Sequence, residues 1–237
     1  MTQTHIIPAP PQPSAPVIDH ESTFPVRRIF CVGRNYADHV REMGGDPSDT
    51  PPVFFSKPAD ALVPVDDSGG SVAAYPPRTL DYHHEVELVI ALASGGRNIP
   101  KDQALTTVFG YAVGIDFTRR DLQRAAAEAG QPWDMAKGFD QSAILGPIKP
   151  HQGQDYVEGM IKLSIDGALR QHANIAQMIW DIPAIITSLS EYVELMPGDL
   201  IFTGTPDGVG PVSVGQRITA SVDGLPPIEL TIGPCRH

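Results

Sequence analysis

The sequence predicts a strand-rich α+β fold, mostly β, with a few short helices. Three observations carry that expectation. Glycine (22) and proline (24) are plentiful among the 237 residues while aromatics make up 7%, a balance that implies many turns. Two apolar runs, 85–92 (EVELVIAL) and 110–117 (GYAVGIDF), have strand length. Helical periodicity is confined to short segments, without the regular alternation of a doubly wound sheet. With 41% hydrophobic and 19% charged residues, the chain can bury one sizeable core.

Residues 1–23 contain Pro8, Pro10, Pro11, Pro13 and Pro16 and little apolar mass. They read as an extended arm, set against the body or a partner subunit, with 24–237 as a single domain. Val26–Gly33 reads as a strand ending in glycine. Asn35 or Asp38 can cap a short helix that stops at Gly44-Gly45. Pro51–Lys57 reads as another strand. Thr118-Arg119-Arg120-Asp121 has the spacing of a capping box, opening a helix through Ala129 that Gly130 and Pro132 end. Asp181 is a good N-cap with Pro183 behind it, and Ile185, Ile186, Leu189, Tyr192 and Val193 then share one face. The remainder of 163–232 reads as strands and tight turns.

Composition excludes several function classes. Seventeen Lys+Arg against 28 Asp+Glu leave a net charge of −11, unsuited to phosphate neutralisation on nucleic acid or to an anionic membrane surface. No apolar run approaches the roughly 18–20 residues a membrane helix needs. Cys31 and Cys235 form neither a disulfide framework nor a zinc-ligand pair at close spacing. The first basic residue is Arg27, and no apolar signal segment precedes it. The reading is a reduced, cytoplasmic protein.

Glu85 and Glu87 carry the strongest chemical signal. On a strand, residues i and i+2 share a face, opposite Val86, Leu88 and Ile90. Adjacent carboxylates repel, and a hard divalent cation relieves that cost; a solvated strand face is the alternative. Asp116 ends the second apolar run, either as a helix cap or as a third oxygen ligand. Three carboxylates without cysteine favour Mg²⁺ or Mn²⁺ over Zn²⁺. His39 and Glu42, three apart on a short helix, fit a water-activating pair or a surface pair. Arg120 and Gln123, also three apart, can face the same pocket. Lys137 stands in a turn-rich apolar setting, as a functional or a surface lysine. The 204–210 segment (GTPDGVG) lacks the Gly-Lys-Ser/Thr ending of a phosphate loop. It reads as a rigid loop whose backbone N–H groups can hold a carboxylate.

The order and wording of these segments resemble the fumarylacetoacetate hydrolase superfamily over about residues 24–233. The matching stretches are Gly33-Arg34-Asn35-Tyr36 with His39 and Glu42, Phe55-Ser56-Lys57-Pro58, His84-Glu85-x-Glu87-Leu88, Gly114-x-Asp116 through Arg120-Asp121-x-Gln123, Trp133 with Lys137, and Gly198-Asp199 through Thr203-Gly204-Thr205-Pro206 to Gly210. Within the superfamily the chain is most similar to the single-domain acylpyruvate hydrolases, and among these to bacterial fumarylpyruvate hydrolases of gentisate degradation. The resemblance implies a mixed β-sandwich or rolled-sheet core, a catalytic domain over 24–237, and a homodimer. It implies Glu85, Glu87 and Asp116 as ligands of Mg²⁺ or Mn²⁺. His39 and Glu42 become the water-activating dyad, Lys137 the catalytic lysine, and Arg120, Gln123 and Thr205 substrate contacts. Arg119 has no counterpart in the motif; a cation there can meet the distal carboxylate of a dicarboxylic substrate.

The implied reaction is hydrolysis of a 3-acylpyruvate, most simply fumarylpyruvate to fumarate and pyruvate. Fold alone does not fix it. Oxaloacetate decarboxylation, or another 2-oxo acid reaction, keeps the metal but needs no water. A non-catalytic metal or 2-oxo acid binder needs the ligands but neither the His–Glu pair nor the lysine.

Overall fold

The computed structural model describes residues 6–47, 51–65, 70–153 and 155–235. The first five residues of the proline-rich arm lie outside them. Two sheets dominate. The larger has eight strands, and its path runs Val53–Lys57, Arg28–Gly33, Asp199–Phe202, Val86–Leu92, Val108–Asp116, Ala143–Leu145 and Leu62–Pro64, with Lys149–Pro150 paired beside it. It is mixed: Arg28–Gly33 runs parallel to Asp199–Phe202, and the central pairs are antiparallel. The smaller has five strands in the order Ala168–Asn174, Met160–Ile165, Arg217–Val222, Ile228–Gly233 and Ser71–Ala74. Four helices accompany them: α1 (Ala37–Glu42), α2 (Arg120–Glu128), α3 (Asp134–Lys137) and α4 (Ile182–Tyr192). This is the mostly β, α+β architecture expected from the sequence.

The side-chain period of two divides the large sheet between two cores. Val86, Leu88, Ile90, Val113 and Ile115 face the five-stranded sheet and pack with Ile161, Leu163, Ile218, Ala220 and Leu230. Val89, Ala91, Ala112, Ile29, Cys31, Leu200 and Phe202 face the other way. That second face is covered by the N-terminal segment. Ser14–Ala15 pairs with Phe24–Pro25, and Ala15, Val17, Phe24 and Val26 are buried in the second cluster. Both faces of the central strands are therefore dry, which explains their unbroken apolar character.

The helix starts deviate from local sequence logic in two places. Neither Asn35 nor Asp38 caps α1; Tyr36 occupies that position without a side-chain bond. Asn35 instead donates to the Thr203 and Trp180 carbonyls, at 2.7 and 3.1 Å, and accepts from Trp180 N at 2.7 Å. The expected capping box of α2 is also not formed. Arg119 is at the N-cap, and its side chain makes no capping bond. Thr118 Oγ1 is taken by Lys137, and Asp121 by Thr79 and Leu80 N. In both cases a long-range partner outcompetes the local one. The α4 cap forms as expected, Asp181 accepting from Ala184 N at 2.8 Å. Ile185, Ile186 and Leu189 are buried, but Tyr192 faces solvent and Val193 lies past the helix end.

Candidate active site

Glu85 lies at the bend between Tyr82–His84 and Val86–Leu92. Glu87 stands two residues on, in the latter strand. Asp116 ends the neighbouring strand, where its N–H bonds to the Glu85 carbonyl at 2.8 Å. The backbone pairing thereby brings the three side chains together. All are buried, and each offers an oxygen within 4.8 Å of the others.

Their compensation is uneven. Lys137 Nζ, from the last residue of α3, donates at 2.7 Å to Glu85 Oε2, Asp116 Oδ2 and Thr118 Oγ1. Lys57 Nζ lies 2.7 Å from Asp116 Oδ1, and the Arg120 guanidinium donates to Glu85 Oε1. Among the described residues, Glu87 receives only the Gly204 N–H, at 2.7 Å. Burial pushes the Glu85 carboxyl up, but the adjoining Lys137 and Arg120 charges outweigh it and hold the group well below the usual range. Burial, with Asp116 and Glu85 alongside, pushes the Glu87 carboxyl well above it. Burial works against the Lys137 charge, yet Asp116 and Glu85 prevail and raise its value.

That asymmetry tests the suitability of the trio for a cation. The buried cations Lys57, Lys137 and Arg120 are paired with Glu85 or Asp116, and among the described residues Glu87 has no ion pair. All-oxygen donors, hard and buried, on one side of a cavity fit Mg²⁺ or Mn²⁺.

The cavity holds about 240 Å³ and is lined by all three carboxylates together with His39, Gln123, Lys137, Thr205, Trp133 and Phe55. His39 Nδ1 lies 3.1 Å from Glu42 Oε2, with the imidazole buried and the carboxylate about one-third exposed. The other carboxylate oxygen, Glu42 Oε1, accepts from Gly208 N at 3.0 Å. The expected carboxylate-holding loop therefore exists, and it grips the protein's own Glu87 and Glu42. Two of its glycines are required. Gly204 has φ +100°, and a Cβ there would meet Asn35 Cβ at 2.6 Å; Gly208 has φ +84°, and one there would meet the Arg170 carbonyl at 2.2 Å.

Two predicted substrate contacts are placed differently. Arg120 sits behind Glu85, outside the cavity lining, bonded to Glu85, the Gln123 side-chain oxygen and His83. It ties the side chains of Glu85 and Gln123 together. Arg119 is turned away: its guanidinium stacks over Phe139 at 4.3 Å and donates to the Met135 carbonyl at 3.1 Å. The stack offsets part of the cost of a partly buried place where desolvation disfavours the charge and lowers its value.

Gln171 is a participant that the sequence reading missed. It comes from Ala168–Asn174, in the other sheet, and is fully buried. Its carbonyl oxygen accepts from Val86 N at 3.0 Å and bonds His84 Nδ1 at 2.9 Å. Its amide donates to Thr205 Oγ1 at 2.8 Å and the Pro206 carbonyl at 2.9 Å. Because Thr205 Oγ1 accepts that bond, its own O–H is free to donate into the cavity. Burial lowers the His84 value to about 4, so the ring is neutral with its proton on Nδ1. Gln171 is buried between exposed Arg170 and His172, and nothing in the local sequence marks it. Lys57 was quoted in the motif but given no role; the sheet places it under Asp116.

Three buried carboxylates that could hold a metal ion stand beside a His–Glu pair and a buried lysine on a mixed β core, a combination suited to metal-assisted enzyme chemistry. The chain belongs to the fumarylacetoacetate hydrolase family: the model described as "Fumarylacetoacetate (FAA) hydrolase C-terminal" matches residues 28–233. It is 44% identical over 181 residues to a fumarylpyruvate hydrolase of Ralstonia sp, covering 76% of this chain and 92% of that protein. The crystal structure of fumarylpyruvate hydrolase from Pseudomonas aeruginosa in complex with Mn²⁺ and pyruvate superposes with a TM-score of 0.96 at 47% identity, over 98% of this chain and 100% of that one. The mitochondrial oxaloacetate tautomerase FAHD1 of Mus musculus is 40% identical over 200 residues, 84% of this chain and 88% of its own.

Proposed function

We propose that this chain is a divalent-metal-dependent hydrolase that cleaves the C–C bond of 3-acylpyruvates, acting on fumarylpyruvate to give fumarate and pyruvate. The observation that carries the reading is one cavity lined by the carboxylate trio, Lys137 and His39, whose Nδ1 lies 3.1 Å from Glu42 Oε2. The similarity to fumarylpyruvate hydrolases over nearly the whole chain supports the substrate. Its place is gentisate degradation in the cytoplasm, as a homodimer.

Glu85, Glu87 and Asp116 would hold Mg²⁺ or Mn²⁺, which when bound supplies Lewis acidity for the pyruvyl carboxylate and 2-oxo oxygens and for the charge on departing pyruvate. Gln123 and the Thr205 O–H fix the pyruvyl end. Glu42 accepts the His39 Nδ1 proton in a hydrogen bond and so leaves Nε2 as the basic atom. Nε2 takes a proton from water, and the resulting hydroxide attacks the distal carbonyl carbon of the diketone. Lys137 uses all three of its N–H groups on Glu85, Asp116 and Thr118. Once its carboxylates find another counter-charge, it turns an N–H to the new oxyanion. The C–C bond then breaks, its electron pair goes to C3 of pyruvate, and that carbon takes the proton back. The water oxygen ends in the fumarate carboxylate.

A second reading is favoured by the oxaloacetate tautomerase relatives. Enolisation of oxaloacetate uses the same pyruvyl grip but consumes no water. Release of pyruvate and fumarate, followed after chelation with EDTA and after restoring Mn²⁺, decides between the two. The hydrolase reading expects cleavage of fumarylpyruvate that EDTA abolishes and Mn²⁺ restores. Tautomerisation of oxaloacetate without any acylpyruvate cleavage would overturn it.

A further inference from the structure

The cavity is graded from floor to mouth. Glu85, Glu87, Asp116 and Lys137 are buried at the floor, while Arg34, Arg124, Ala127 and Glu128 are exposed lining residues. Sorting the cations around it by commitment singles out one. Lys137, Lys57 and Arg120 are paired with Glu85 or Asp116. Arg119 is stacked away from the cavity. Arg124 Nη1 is paired with Asp81 Oδ2 at 3.0 Å. Arg34 alone lines the cavity without an ion pair among the described residues.

Arg34 is also held in place. It joins the Arg28–Gly33 strand to the α1 segment at φ +61°, a left-handed conformation that costs a non-glycine residue about 1 kcal/mol or more. The next residue, fully buried Asn35, clamps the turn through Thr203 and Trp180, as described above. A strained turn thus presents an uncommitted guanidinium at the mouth of a cavity that is also lined by His39 and, from α2, by Glu128. The chain bears a net charge of −11, so a dianionic substrate needs such a local cation to offset repulsion.

We propose that Arg34 is a specificity-determining residue that receives a carboxylate at the far end of the acyl group, so that the site prefers dicarboxylic acylpyruvates. This rests on the hydrolase reading and assigns to Arg34 the part that the sequence offered to Arg119. A planar guanidinium suits the task because it binds carboxylate through two parallel N–H groups.

The test compares fumarylpyruvate with acetylpyruvate, which lacks the distal carboxylate, in the Mn²⁺-loaded chain and in Arg34→Gln and Arg34→Lys. Glutamine carries the same backbone cost at φ +61° as arginine, so the turn is unaltered. Arg34→Gln is expected to lower kcat/KM for fumarylpyruvate about tenfold through KM, the scale of one exposed charge-assisted contact, and to leave acetylpyruvate within about twofold. Arg34→Lys recovers part of the loss. Raising the salt concentration should weaken fumarylpyruvate more than acetylpyruvate in the unaltered chain, and Arg34→Gln should erase that difference. Equal losses on both substrates, or no loss on either, overturn the assignment. Failure of the unaltered chain to cleave either substrate overturns the hydrolase reading itself and the assignment with it.

Discussion

The floor and the mouth of the cavity use charge in opposite ways. At the floor, three carboxylates, two lysines and an arginine interlock out of water. At the mouth, Arg34, Arg124 and Glu128 stand in solvent. Low dielectric makes each floor contact strong and each unpaired floor charge expensive, whereas water and salt dilute the rim. The floor is therefore the place for chemistry common to every substrate. The mouth can discriminate among acyl groups without disturbing it.

The largest effect is expected at Lys137. Lys137→Met leaves Glu85 and Asp116 short of a counter-charge, and breaking a buried pair typically costs about 3–5 kcal/mol. Urea unfolding of the metal-free variant should show a loss of that order, with turnover abolished. A stability equal to the unaltered chain would mean the floor is better hydrated than its burial implies.

The dyad comes next. Glu42→Gln should lower kcat by about 10²–10⁴, the usual scale for a lost general base, with Mn²⁺ affinity unchanged. An unaltered kcat would remove His39–Glu42 from water activation.

Proton linkage separates the two glutamates of the floor. The raised value of Glu87 means that it is protonated in the metal-free chain over a range where Glu85, held low by Lys137 and Arg120, is charged. Cation binding must displace that proton, so affinity falls as pH falls through the raised value and increases as pH rises toward it. Titrating Mn²⁺ in buffers of different ionisation enthalpy should reveal up to one proton released per ion, and a count of zero across the pH range would contradict the raised value of Glu87.

A smaller effect is expected at the junction of the sheets. If Gln171 acts by orienting Thr205, then Gln171→Leu and Thr205→Ala should each raise KM, and the double variant should be non-additive by about 1 kcal/mol, within the range for residues sharing a bond. Strict additivity would make Gln171 a packing residue only.

What the sequence disclosed of this site follows from where its partners lie. Glu85 and Glu87 are two apart on extended backbone, and His39 and Glu42 are three apart on a helix, so local geometry announces them. The strand-rich fold was legible for the same reason, because the central strands are apolar on both faces. Lys57 and Gln171 were not legible: their roles depend on side-chain partners 59 and 34 residues distant, namely Asp116 and Thr205, and no local period reports such contacts. Thr118 and Asn35 misled because each is a good helix cap whose side chain found a stronger partner in tertiary structure. Arg119 was next to a functional arginine in sequence, but the adjoining backbone positions direct the two side chains apart.

The central claim is that the side chains of Glu85, Glu87 and Asp116 share a single divalent ion. Calorimetric titration of Mn²⁺ into the EDTA-treated, dialysed chain tests it directly. One ion should bind per chain, and both Glu87→Gln and Asp116→Asn should abolish that binding while the chain stays folded by circular dichroism. Undiminished binding in either folded variant would contradict the claim.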